Sequence, residues 1–121
     1  MLKRDDDEHP VPPSLRDRFK DIALAFVSGD FQLASHNVEG VSPIDADMAR
    51  FIAEQVSGYG DDLVTLDDRV WDRSIYRWMD GHWEFVVDLT TAQEPVSDLA
   101  LHARLADGRD ALLEVRSVHV P

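Results

Sequence analysis

The stretch "WMDGHWEFVVDL", residues 78–89, decides how the second half of this chain folds. An Asp-Gly pair between runs of aromatic and β-branched residues signals a two-residue hairpin, because a type I′ turn needs positive φ at both central positions. With Asp80 and Gly81 as the loop, Met79 faces His82, and the pairs Trp78/Trp83, Arg77/Glu84, Tyr76/Phe85, Ile75/Val86 and Arg73/Asp88 follow. One face is then aromatic. The other sets two opposite-charge pairs around Ile75 and Val86. A slip of one residue would oppose Arg77 to Trp83 and Tyr76 to Glu84, mixing the faces. The two-residue loop is therefore expected, with Trp78 and Trp83 as hairpin-stabilising core rather than a ligand platform.

A second Asp-Gly lies at residues 107–108. A two-residue loop there would set Leu101 against Glu114. A three-residue loop of Ala106, Asp107 and Gly108 sets Leu101 against Leu113, Leu99 against Val115, Arg104 against Asp110 and Asp98 against Arg116. The expectation is a type I turn with Gly108 left-handed in a G1 bulge. Val118 and Val120 are out of phase with Val115, which predicts another bulge near Arg116 and Ser117.

Upstream, the hydrophobic period is helical. Leu15, Phe19, Ile22, Ala23, Phe26 and Val27 predict a helix from Ser14 to Ser28, with Ser14 and Asp17 resembling a capping box and Gly29 as the stop. A second helix is expected behind a Ser42 cap with Pro43 in its first turn. Ile44, Met48, Phe51, Ile52 and Val56 would line one face, and Gly58 or Gly60 would end it. "DLVTL", residues 62–66, reads as a short strand. Residues 1–13 combine the acidic run Asp5–Glu8 with Pro10, Pro12 and Pro13 and read as a flexible acidic, proline-rich arm. Residues 14–121 read as a single domain of α+β class: two N-terminal helices packed on one face of a four- or five-stranded antiparallel meander sheet.

The 121 residues suffice for one core, burying roughly two-thirds of the surface an unfolded chain exposes. Cysteine is absent, so a disulfide framework, a thiolate nucleophile and cysteine zinc sites are excluded, and a cytoplasmic location is the simpler expectation. No segment reads as a signal peptide or membrane span. Twelve basic against twenty-four acidic residues give a net charge of −12, shared by both halves of the chain. Such a surface repels nucleic acid and anionic membrane and favours a basic partner.

No pattern carries chemistry. The five histidines show no ligand spacing, and phosphate-cradling glycine loops and a nucleophile elbow are absent, so no catalytic residue, cofactor or metal is assigned. His102, with Glu114 and Asp98, is the one group that could support acid–base work on the charged face. The strongest surface signal is the segment Asp61–Asp72, where five acids stand with Arg69 and Trp71. Partner-binding residues are expected there (Asp61, Asp62, Asp67, Asp68, Trp71, Asp72) and on the charged hairpin face (Arg73, Ile75, Arg77, Glu84, Val86, Asp88).

The block "WDRSIYRWMDGHWEFVVDLTTAQEPVSDLALHAR", residues 71–104, resembles an uncharacterised family of small bacterial domains sharing W-D-x-S, W-x-x-G-x-W and V-D-L-x-T-x-x-E-x-x-S-D-L elements. That resemblance implies no activity. The leading expectation is a non-enzymatic acidic protein-binding domain, such as an immunity-type inhibitor of a basic bacterial toxin. The alternatives are a small enzyme or ligand-binding domain with a helix–sheet pocket lined by Trp71, Tyr76 or Trp78, and a homodimeric scaffold.

Overall fold

The computed structural model describes residues 2–121. Its elements are strand β1 (His9–Pro10), helix α1 (Pro13–Val27), helix α2 (Ala46–Tyr59), a 3₁₀ turn (Asp68–Asp72), and strands β2 (Ile75–Trp78), β3 (His82–Asp88), β4 (Ala100–Ala106) and β5 (Leu113–His119). The strands form one antiparallel sheet in the order β1-β2-β3-β4-β5, so the class is α+β, with the helices mostly preceding the sheet.

The first hairpin has the register its sequence dictates: Ile75/Val86, Tyr76/Phe85, Arg77/Glu84 and Trp78/Trp83. Asp80 and Gly81 take φ of +52° and +115°, and the Met79 amide donates to the His82 carbonyl at 2.8 Å. The second hairpin corrects the sequence reading by four residues. Leu105, not Leu101, faces Leu113, and Ala103 faces Val115. Gly108 keeps an ordinary φ, so the expected G1 bulge is absent. The cause lies outside the hairpin: Leu113 bridges Val41, donating to the Gly40 carbonyl at 2.9 Å and accepting from the Ser42 amide at 2.9 Å. The Asp107 amide meanwhile donates to the Gly81 carbonyl at 3.0 Å, tying the two bends together. The expected bulge at Arg116 is present, since Ala103 faces Val115 while His102 faces Ser117.

Both helix starts differ from expectation. Pro13, with its preset φ, takes the first position of α1 and holds Pro12 extended as the cap residue, so Ser14 lies inside the helix and caps nothing. Helix α2 is capped by Asp45, whose side chain accepts from the Met48 amide at 2.8 Å. Ser42 is engaged by Leu113, and the Ile44 amide by the Gln32 carbonyl at 3.0 Å, which keeps that segment out of the helix. Ile44 is buried from the loop, whereas Phe51 faces solvent. The end of α2 is as read, with Gly60 left-handed at the cap. "DLVTL" forms no strand; Leu63 makes an isolated bridge to Thr91.

The fifth strand comes instead from the arm, which corrects the expectation of a free N-terminus. His9 and Pro10 pair with Tyr76 and Ile75, and Val11 is fully buried. The Lys3 amide donates to the Tyr76 hydroxyl, and the Trp83 indole donates to the Lys3 carbonyl, each at 2.9 Å. Arg4 pairs with Asp107 at 2.8 Å and lies over both Trp78 and Trp83. The aromatic hairpin face supplies the apolar surface that the arm's own composition lacks.

Between helices and sheet the core is continuous. Phe19, Ile22 and Ile52 from the helices meet Phe85, Val87, Leu99, Leu101, Leu113 and Val118 from the sheet side, all buried. Each such side chain contributes roughly 1.5–3 kcal/mol relative to exposure. Phe19 links the layers, with its ring 5.6 Å from Phe85 and 6.5 Å from Trp71.

Candidate functional site

The outer face of the sheet carries three cross-strand rows. In the first, Arg77, Glu84, Arg104 and Glu114 alternate in charge across four strands, and Glu8 extends the row with a 3.8 Å contact to Arg77. The second runs Ile75, Val86, His102, Ser117. The third runs Asp88, Ala100, His119, with Arg73 placed 3.4 Å from Asp88. The face is nearly balanced in charge, with Arg73 paired to Asp88, Arg77 to Glu8 and Arg116 to Glu114, while among the described residues Arg104 makes no ion pair.

At its centre His102 and His119 stack with ring centroids 4.5 Å apart and planes 12° from parallel. The Ser117 hydroxyl is 2.7 Å from Nδ1 of His119. Burial pushes the His102 imidazole below its ordinary pKa, and a neighbouring His119 charge would push the same way, with Glu84 opposing. Burial raises the Asp88 carboxyl, and Arg73 partly offsets this. The stacked pair was hidden from the sequence because it depends on the four-residue shift and the Arg116 bulge. Asp98 does not share a row with His102, whereas Glu84 and Glu114 lie one row away. Among the described residues no three histidine or acidic side chains are placed to hold a metal ion.

The acidic segment does not form the expected single patch. Trp71 is buried, with Arg16 over its ring at 5.3 Å, so it is core and no exposed anchor. Asp67 caps the 3₁₀ turn, accepting from the Arg69 amide and pairing with its guanidinium at 2.9 Å, which holds the carboxyl down to about 2. Asp61 is held below the usual range by the Thr91 hydroxyl and the Gln93 amide. Asp62, Asp68 and Asp72 remain exposed, Asp68 with Lys20 at 3.6 Å. Of the twelve residues read from sequence, Arg73, Ile75, Arg77, Glu84, Val86 and Asp88 share the sheet's outer face. The acids lie elsewhere, on the loop and turn that precede it.

The residues of the 71–104 block hold the fold together from within. The Ser74 hydroxyl donates to the Val70 carbonyl at 2.6 Å and accepts from the Asp88 amide at 3.1 Å, joining turn to sheet. Thr90 donates to the Pro95 carbonyl and accepts from the Asp67 amide. Ser97, fully buried, donates to the Leu89 carbonyl at 2.7 Å. Glu94 accepts from the Tyr59 hydroxyl at 2.6 Å, fastening the end of α2 to the β3–β4 connection. The Ser74, Thr90 and Ser97 hydroxyls thus satisfy backbone groups of the interior.

Trp71 and Tyr76 are buried in the core, and Trp78 packs on Trp83 with ring centroids 4.8 Å apart, so none of the three stands as an open pocket wall. An open cleft of about 880 Å³ lies instead beside the C-terminal ends of α1 and α2, lined by Phe26, Phe31, Val56 and Leu63 with Asp61 and Asp62. Nothing in the hydrophobic period announced it, because two helix ends and the 61–63 loop build it jointly.

A family model described as a domain of unknown function, DUF7668, matches residues 23–121. The chain belongs to that family. The DUF7668 match takes in the last five residues of α1, all of α2, the 3₁₀ turn and strands β2 to β5, and begins after the arm, β1 and the first ten residues of α1. No curated protein and no solved structure matches the chain. Among the described residues no helix is long and apolar enough to cross a membrane.

Proposed function

We propose that this DUF7668 domain is a non-enzymatic, acidic protein-binding module, of the immunity type that masks a basic bacterial toxin. The observation that carries the reading is where the charge sits. The outer sheet face nearly balances its own charges, so the net −12 is displayed by the exposed acids of the helices, arm and loops, Asp62, Asp68 and Asp72 among them. A field of one sign steers an oppositely charged partner and is screened by salt. The block of residues 71–104 is, on this reading, the part of the family signature that sets the scaffold rather than the partner.

Affinity capture with the full chain, followed by association kinetics over a salt series, tests the proposal. The expected result is a partner rich in Lys and Arg, whose association slows steeply as salt rises and slows about threefold or more in an Asp68→Lys, Asp72→Lys variant. Recovery of acidic proteins alone, or an association rate indifferent to salt, overturns it. The open cleft favours a second reading, a ligand-binding domain, which small-molecule binding at the cleft without any protein partner would support. A concentration-dependent shift in gel filtration would instead favour the homodimeric scaffold.

A further inference from the structure

The cleft beside the two helix ends gives the protein-binding reading a specific seat. Helix α1 ends at Val27 and α2 at Tyr59, and neither has a basic residue in its last turn. Helix C-termini carry partial negative charge that a cation ordinarily complements. Both ends lie at the same cleft, whose lining includes Asp61 and Asp62 and no Lys, Arg or His. Its exposed lining is mostly polar, with half-buried Phe31 and Val56 as the accessible apolar part and Phe26 and Leu63 buried beneath them. At about 880 Å³ and open to solvent, it has room for several side chains of a bound segment.

The geometry points to this cleft as the docking site for a basic, partly apolar peptide segment of a partner protein, an inference that rests on the protein-binding reading above. A Lys or Arg stem lies along Phe31 and Val56 while its charged head reaches Asp62. This differs from non-specific attraction by being local: one carboxylate and one helix face matter, and equal charge elsewhere does not.

The test is an amide-resolved NMR titration of the full chain with a short peptide of lysine, leucine and serine, beside the same peptide with glutamate for lysine. Shifts should be confined to the cleft, at Ala53, Ser57, Gly60 and Gln93, with none from the glutamate peptide. Asp62→Lys and Ser57→Arg change exposed positions and should each weaken binding at least about tenfold. Asp110→Lys makes the same charge change on the distant β4–β5 connection and should cost less than about twofold. Shifts centred elsewhere, or an equal loss in Asp110→Lys and Asp62→Lys, overturn the cleft. If a captured basic protein binds Asp62→Lys and Ser57→Arg as tightly as the parent chain, the cleft falls and the protein-binding reading stands. If no basic protein binds at all, the protein-binding reading itself falls.

Discussion

The two hairpins share an Asp-Gly at the bend and an apolar inner face, yet only the first obeys its own bend. At Asp80-Gly81 both residues have positive φ, and the register follows from the turn. At Asp107-Gly108 the connection is longer, Gly108 is unremarkable in conformation, and Leu113 is fixed by the 40–42 segment from far away in sequence. A turn sets register where its backbone conformation is demanding. Where the turn is permissive, a partner strand segment decides.

The largest expected effects probe what fixes each hairpin from outside the turn. Trp83→Ala should destabilise the domain by about 4 kcal/mol, since it removes a buried indole and the hydrogen bond that holds Lys3. Limited proteolysis should then cut the first eleven residues much faster. Leu113→Ala should cost about 3 kcal/mol, with hydrogen exchange rising at the amides of Ser42 and residue 113 together, because the buried side chain anchors the residue whose backbone makes the bridge. If exchange rises only in the β4–β5 connection, the distant segment does not set that register.

Smaller effects sharpen the contrast between the turns themselves. A Cβ at Gly81 meets nothing within 4 Å, yet its φ of +115° is one a side chain disfavours, so Gly81→Ala should cost about 1–2 kcal/mol in urea unfolding. Gly108 also has open space, with an ordinary φ, and Gly108→Ala should stay within about 0.5 kcal/mol. Equal losses at the two glycines would remove the distinction drawn between the turns.

The smallest effect concerns pH. His102 holds its neutral form in the folded state below the ordinary pKa of 6.5, so the unfolded chain takes up a proton first as pH falls. Stability should be full above pH 6.5 and decline as pH falls from there through the lowered folded-state value. Urea midpoints measured from pH 7.5 to about 5 should show this decline, and His102→Gln should flatten it. An identical decline in the variant would place the titration elsewhere.

What was legible in the sequence was what depends on local rules. The first hairpin register, the Arg116 bulge and the Gly60 stop each follow from a few adjacent residues. The N-terminal arm was illegible because Lys3 is held by Tyr76 and Trp83, 73 and 80 positions away. Trp71 was misread for a similar reason: its partners, Arg16 and Phe19, belong to α1. Of the candidate surfaces, the charged sheet face could be read in pairs from strand alternation. The cleft could not, because three segments with no common period meet there.

The arm has a further consequence for the order in which the chain is made. Residues 2–12 emerge before their platform, which is complete only once Trp83 has followed, 80 residues after Lys3. Until then the segment that becomes β1 has no strand to pair with, and its acidic run keeps it hydrated and apart from other nascent chains. Once the first hairpin closes, docking of the arm covers the outer edge of β2, which would otherwise be open to pairing with a neighbouring molecule. Residues 2–12 thus guard a strand that did not exist when they were made.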